Sequence, residues 1–381
     1  MRKIEKEIEQ FVNSETLTET EKTSSKLVPQ NLLSTGSTMV NLGCSNNAEG
    51  GLLKGRYYIM IGASQSGKTW MYHAIFAESG LHPRFKNYRL IKDEPEMGSD
   101  FDIEHFFGKR TAERIEPAWA GRVDENNIPI PNSRTVEEFY DNVENKLKSC
   151  EKQGIGMIYV LDSMDALSSE QSQKINEEAM EARQAGKEVK GNYGDGKAKV
   201  NSQRLRNVVS RLERSGSILI IICQERDNLG SMVGGKTFSG GNALLFYACV
   251  QFWFKKIGPI DIVINKKKRN LGNLTKCQII KNRLTGQQDR DIPVSYYYSF
   301  GIDDVGDMID YLVSEEHWTG GKSSVSKIKA EEFEQELSKE ALIQYIQDNR
   351  LESKLRKIVQ NVWNDILQQI RSKTQRRNRY E

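Results

Sequence analysis

The sequence predicts an α/β protein: a mostly parallel, twisted sheet flanked by helices, with an N-terminal arm and a small helical C-terminal domain. Three observations carry this. Short, continuous apolar runs alternate with helical stretches from Leu42 to about Tyr311. A glycine-rich turn joins the first of these runs to a helix. Beyond Trp318 the apolar spacing becomes purely helical.

The runs are Arg56–Gly62 (RYYIMIG), Tyr88–Ile91 (YRLI), Gly156–Asp162 (GMIYVLD), Ser217–Cys223 (SILIIIC) and Ala248–Phe254 (ACVQFWF). Unbroken apolar strands separated by helices belong to a parallel sheet covered on both faces, because neither face meets water. Residues 1–33 are charged and rich in Glu, Thr and Ser, with one periodic stretch, Ile4-Ile8-Phe11. They suit either a solvated tail or an arm docked on a neighbouring subunit. The core is expected over 34–318. Two stretches interrupt it: the polar residues 164–200 and the glycine-rich residues 225–241. The segment from Trp318 to Ser324 reads as a linker into a helical domain with a basic tail over 319–381, where Leu342, Ile346, Leu355, Val359 and Trp363 keep helical spacing.

Bulk properties narrow the class. The chain has 381 residues, 37% hydrophobic and 28% charged, with five scattered cysteines and a net charge of +3. No run is long enough to span a bilayer and no secretory core is seen, so a cytoplasmic protein is expected. The cysteines and the four histidines complete no zinc spacing. So small a net charge does not by itself argue for nucleic acid.

Gly62-Ala63-Ser64-Gln65-Ser66-Gly67-Lys68-Thr69 matches GxxxxGK[ST] between a strand and a helix. Glycines let backbone N–H groups wrap phosphates, and the helix start adds its dipole. Lys68 is expected on the β/γ-phosphates and the Thr69 hydroxyl on Mg²⁺. Asp162 ends a second apolar run, where a parallel sheet presents its ligands, and suits the Mg²⁺ water shell. ATP and Mg²⁺ are therefore the expected cofactors. Asp93-Glu94-Pro95-Glu96 follows the run at Tyr88–Ile91 and places carboxylates at the same rim.

From here the residues resemble the RecA recombinases. Leu33-Ser34-Thr35-Gly36-Ser37, with Gly51-Leu52 and Gly55-Arg56, is similar to the segment leading into that family's phosphate loop. Gly191-Asn192-Tyr193-Gly194-Asp195 resembles the start of its first DNA-binding loop. Cys223-Gln224-Glu225-Arg226, Leu229-Gly230-Ser231-Met232 and Gly240-Gly241-Asn242-Ala243-Leu244 resemble the second loop and the stretch leading to the strand beyond it. Ile280-Lys281-Asn282-Arg283 resembles a basic pair. The likeness runs from about residue 33 to about 318, and the divergence favours a phage-type member such as the UvsX group.

The resemblance implies a RecA-type P-loop ATPase core and assigns roles by position. Glu96, with Glu94 as fallback, is the water-activating carboxylate. Gln224 senses the γ-phosphate, and Lys281 and Arg283 are cations supplied to a neighbour's ATP. Arg226, Leu229, Gly230, Ser231, Met232, Lys236, Gly240, Gly241 and Asn242 are implied DNA contacts. Glycine amides, cations and apolar wedges suit a sequence-neutral grip on a strand.

Lys197, Lys199, Arg204 and Arg206 either touch phosphate or are solvated helix charges, and Lys266-Lys267-Lys268-Arg269 reads as a hairpin tip. The expected function is a recombinase forming a helical filament on single-stranded DNA and pairing it with double-stranded DNA, with mediator and single-strand-binding proteins as partners. A hexameric helicase and a non-motor mediator are the alternatives. The basic tail departs from the acidic tail common in the family.

Overall fold

A computed structural model describes residues 27–96, 101–119, 122–186, 196–227, 236–321 and 326–374. All five apolar runs form strands. They are β3 (Tyr57–Gly62), β4 (Arg89–Asp93), β6 (Met157–Leu161), β7 (Ile218–Asp227) and β9 (Val250–Ile264), after the short β1 (Leu32–Leu33) and β2 (Leu52–Leu53). With β5 (Ile115–Pro117) they make a parallel sheet in the order β9-β3-β7-β6-β4-β5. Ile59, Ile61, Tyr159, Leu219 and Ile221 are wholly buried on one face, and Tyr58, Met60, Ile158, Ile220 and Ile222 on the other. The two clusters explain why these strands show no polar alternation.

Helices Lys68–Leu81, Val136–Gln153 and Lys197–Ser215 cover the faces. The Thr135 side chain caps the second and Gly154 ends it in a left-handed conformation. The last spans the Gly196 start and the Gly216 stop.

Beyond β9 the sheet turns antiparallel through β10 (Lys267–Asn282), β11 (Arg290–Tyr297) and β12 (Gly301–Ile302). Asn265 and Lys266, both at positive φ, join β9 to β10. Two such residues are what a tight hairpin turn requires. The basic run Lys266–Arg269 therefore sits at a hairpin tip, as its sequence suggested. Arg204 bonds Asp141 and Glu144, and Arg206 bonds Tyr247, so both have protein partners on the helix surface. The short β8 (Lys236–Phe238) pairs antiparallel with the end of β7.

The C-terminal region differs from its sequence reading in two respects. Trp318 is not a linker residue: it is 1% exposed, its indole N–H donates to Glu332 at 2.7 Å, and it packs edge-on to Phe333. A large aromatic gains more by burial than a tether gains by freedom. A three-stranded sheet of β13 (Thr319–Gly320), β14 (Ile328–Ala330) and β15 (Gln335–Leu337) also precedes helices Lys339–Asp348 and Glu352–Thr374. The last helix docks on the core. Gln360 accepts the Ala48 N–H at 2.7 Å, and Arg290 stacks 4.8 Å over Trp363.

Near β12, Asp307 is almost fully buried and accepts the Ser295 N–H at 3.0 Å. Burial pushes its carboxyl up to about 7, with Asp303 and Asp304 adding to the rise. Raised above its unfolded value, this group stabilises the fold at low pH. That contribution is lost as pH climbs from about 4 through about 7. Asp307→Asn, which keeps the acceptor oxygen, should therefore raise the thermal midpoint by several degrees at pH 8 and leave it nearly unchanged at pH 4. A parallel rise at both pH values would contradict this.

Candidate functional site

The parallel strands point their C-terminal ends at one rim, and the phosphate-loop residues stand there. Gly62 ends β3, Gln65 takes φ +58° and Gly67 φ +94°, and Lys68 opens the following helix. A side chain at Gly67 would lie 2.6 Å from the Tyr296 ring, and one at Gly62 would lie 2.4 Å from the Phe254 carbonyl oxygen. Crowding requires glycine at both positions, and at Gly67 the left-handed backbone requires it as well. The Lys68 ammonium donates to the carbonyls of Gly62 and Ala63 at 2.8 and 2.7 Å. Burial lowers its pKa, while the charges of Asp162, Glu96 and Asp165 pull it back.

Asp162, at the end of β6, lies 3.4 Å from the Thr69 hydroxyl. Burial raises its carboxyl to about 6, with Glu96 and Glu94 adding and Lys68 and Lys92 opposing. A hydroxyl and a carboxylate so placed suit a hydrated divalent cation, whose charge would offset this crowding of acids.

The three acids at the end of β4 and just beyond it have different fates. Asp93 is fully buried and accepts from the Ser133 N–H, the Ser133 hydroxyl and the Tyr159 hydroxyl at 2.8, 2.6 and 2.6 Å. It is a structural residue rather than a rim carboxylate. Glu94 bonds Lys92 at 2.7 Å. Glu96 instead accepts from the Ser163 hydroxyl at 2.7 Å and the Gln224 amide at 2.8 Å, both on Oε1.

Gln224 is the register partner of Gly62 in the adjacent strand β7. One amide side chain thus stands beside the phosphate loop and against Glu96. β7 then runs on to Asp227, where Arg226 faces Thr237 and Asp227 faces Lys236 across the β7–β8 ladder.

At the other foot of this segment, Gly240 and Gly241 take φ +105° and +83°. The Gly240 carbonyl accepts from Asn201, and a side chain on Gly241 would lie 2.6 Å from Ala198. The C-terminal foot of this glycine-rich segment is therefore set on the first turns of helix Lys197–Ser215. Leu229, Gly230, Ser231, Met232 and 191–195 lie outside the described residues, as do Arg376, Arg377 and Arg379 of the tail. Asn242 begins the short helix Asn242–Tyr247 and is exposed.

Lys281 and Arg283 are not at this rim. Gly62 faces Phe254 and Phe254 faces Cys277, so Lys281 lies four residues away along β10, roughly 13 Å toward the opposite edge. There Lys281 donates to the carbonyls of Leu245 and Phe246, and Arg283 to Phe246. Both cations flank the exposed Phe246 ring, at 5.9 and 5.5 Å.

The cleft beside the phosphate loop measures about 520 Å³, a size that suits a nucleotide. Besides the loop it is lined by Trp70, Phe101, Asn273, Thr275, Tyr296 and Tyr298. The Asn273 side-chain oxygen and the Thr275 and Tyr296 hydroxyls are buried there without hydrogen-bond partners. The wall of the cleft therefore carries polar groups among its aromatic residues, which fits a ligand with both polar and ring parts. Phe101 stacks on His73 at 4.8 Å and meets Trp70 edge-on. Sequence reasoning missed the β10–β11 wall. The wall is some two hundred positions from the loop and carries no motif.

Fold and site together define a P-loop nucleotide-binding α/β protein. The model of the RecA N-terminal domain matches residues 1–303. Protein RecA of Cytophaga hutchinsonii is 28% identical over 284 residues, covering 73% of this chain and 67% of that protein. Protein RecA of Brucella suis and of Brucella canis are each 27% identical over 285 residues, covering 73% of this chain and 66% of theirs. The chain thus spans about two thirds of the length of these relatives. It belongs to the RecA family.

Lys68→Ala should weaken Mg·ATP binding at least about tenfold by titration calorimetry, since it removes the one ammonium at the loop. Its thermal midpoint without ligand should hold or rise, because the buried ammonium is held against a desolvation cost. Unchanged nucleotide affinity would remove this loop from the site.

Proposed function

We propose that this chain is an ATP-dependent DNA recombinase, a helical filament on single-stranded DNA that pairs and exchanges homologous strands. One observation carries the reading. β7 sets Gln224 beside Gly62 and against Glu96, then continues directly into the segment 225–241. A nucleotide contact at Gln224 is thereby a contact at the root of that segment.

Mg·ATP would supply the phosphoryl group and the metal charge, held by the amides of 62–69, Lys68, Thr69 and Asp162. Glu96, freed from Gln224, orients the attacking water. Arg226, Lys236, Gly240, Gly241 and Asn242, with Leu229–Met232, grip the strand through cations and glycine amides. Lys281 and Arg283, at the far edge of the sheet from their own loop, complete the nucleotide site of a neighbouring copy and stabilise charge in phosphoryl transfer. Hydrolysis then requires assembly, and the filament takes double-stranded DNA for pairing, with mediator and single-strand-binding proteins as partners. The modest identity to bacterial relatives is in keeping with a phage-type member acting in its host's cytoplasm. Among the described residues no helix is long and apolar enough to cross a membrane.

Electron microscopy with a slowly hydrolysed ATP analogue, with and without single-stranded DNA, should show helical polymers. Closed six-membered rings would favour a helicase, and particles of one copy a mediator. A mixing assay tests the shared site. Lys68→Ala and Arg283→Ala chains should each lack DNA-stimulated ATPase activity, and an equal mixture should regain a measurable fraction. An inactive mixture, or an Arg283→Ala chain as active as the unaltered one, would refute action across an interface.

A further inference from the structure

Asp165 lies in the turn Met164–Ala166 just after β6, three residues past Asp162. Its side chain is 3% exposed. Its two oxygens face different parts of β7. Oδ2 accepts the Gln224 backbone N–H at 2.6 Å, and Oδ1 stands 3.0 Å from the guanidinium of Arg226. The Arg226 side chain is 57% exposed. Lys197 also lies in the field of this carboxylate on the cationic side, and Glu96 on the anionic side.

A carboxylate is a costly residue for a buried turn, and an apolar side chain would fill that space at less expense. What the acid adds is a pair of unequal members. Its anion is fixed and dry, and its cation is half in water at the root of a glycine-rich segment. Such a pair opens from the arginine side alone, when another anion takes the guanidinium. Phosphate is the natural competitor, because it can meet the guanidinium fork with two hydrogen bonds, whereas Asp165 Oδ1 makes a single ion contact with it.

We propose that Asp165 is a latch on Arg226. It holds the guanidinium while no nucleic acid is bound, and a strand phosphate must displace it to bind there. This rests on reading residues 225–241 as a DNA-binding segment. Asp165 is a positioning residue, acting on DNA through Arg226 and on the nucleotide rim through the Gln224 backbone. Displacement leaves the buried carboxylate with the Gln224 N–H and the charge of Lys197, so the opening of the latch is felt beside Gly62.

The test uses the full chain and a fluorescent oligo-dT, with binding followed by anisotropy without nucleotide and over a salt series. Asp165→Asn keeps an oxygen for the Gln224 N–H and removes the charge. It should tighten oligo-dT binding roughly three- to fivefold. The salt slope should stay the same, since the phosphate contacts are the same. Introduced into an Arg226→Ala chain, the same substitution should change affinity by less than about twofold, as double-mutant logic requires of a partner. Asp165→Ala, which also frees the Gln224 N–H, should match Asp165→Asn in oligo-dT affinity. Thermal midpoints of all variants report folding. Unchanged or weaker binding by a folded Asp165→Asn chain overturns the latch. So does equal tightening with Arg226 absent, which would be a general effect of removing an acid. Failure of the unaltered chain to bind oligo-dT at low salt would instead overturn the DNA reading, and the latch with it.

Discussion

Everything at the site depends on one register: Gly62 of β3 against Gln224 of β7, in parallel. A parallel pair sends both strands to the same rim, and right-handed crossovers return each helix to the opposite end. The residues after Gly62 therefore become a phosphate loop, and the residues after Gln224 become a second loop at its side. A one-residue slip would turn Gln224 away from Gly62 and bury its amide among apolar side chains. The fully buried faces on either side of β7 forbid that slip, so the positioning of one amide is enforced by a whole core.

The rim is held at an electrostatic cost. Lys68, Glu96, Asp162 and Asp165 crowd a partly dry space in which acids outnumber the ammonium. Burial pushes the Asp162 carboxyl up to about 6, with Glu96 and Glu94 adding to the rise, and pushes the Lys68 pKa down against the pull of the acids. Clusters of groups driven from their ordinary values mark places built for a charged ligand. Here a divalent cation would relieve the acids and a polyphosphate would relieve the lysine. Ser163 and Gln224 meanwhile hold Glu96 by two hydrogen bonds on one oxygen. A group that draws Gln224 to itself also sets that carboxylate free.

Much of this was legible in the sequence, and the boundary of legibility has physical causes. The five buried strands announced themselves because a sheet covered on both faces needs unbroken apolar runs. The phosphate loop did so because its shape admits few residue types. The antiparallel strands β10–β12 did not, since β10 is exposed along its first residues and then alternates in burial with polar Asn273 and Thr275 on the buried side, so the alternation does not show as hydrophobicity. Trp318 was misread because a Trp followed by Thr-Gly-Gly looks like a tether until Glu332 and Phe333 fold back over it. Among the acids at the end of β4 and just beyond it, sequence alone did not separate Asp93, Glu94 and Glu96. Only the fold shows that the first is hooked by Ser133 and Tyr159, the second by Lys92, and the third by Gln224. Asp165 was invisible for a similar reason, as its partners lie sixty positions away on β7.

If Gln224 joins the two ligands, nucleotide occupancy and strand binding are thermodynamically coupled through it. The linkage itself can be measured: oligo-dT affinity with and without a slowly hydrolysed ATP analogue, and analogue affinity with and without oligo-dT. By thermodynamic reciprocity the two ratios must agree. Equal, favourable coupling is expected in the unaltered chain. In Gln224→Ala the coupling should fall to near zero, with each ligand still bound alone. Coupling of full size in Gln224→Ala would contradict a relay through this residue.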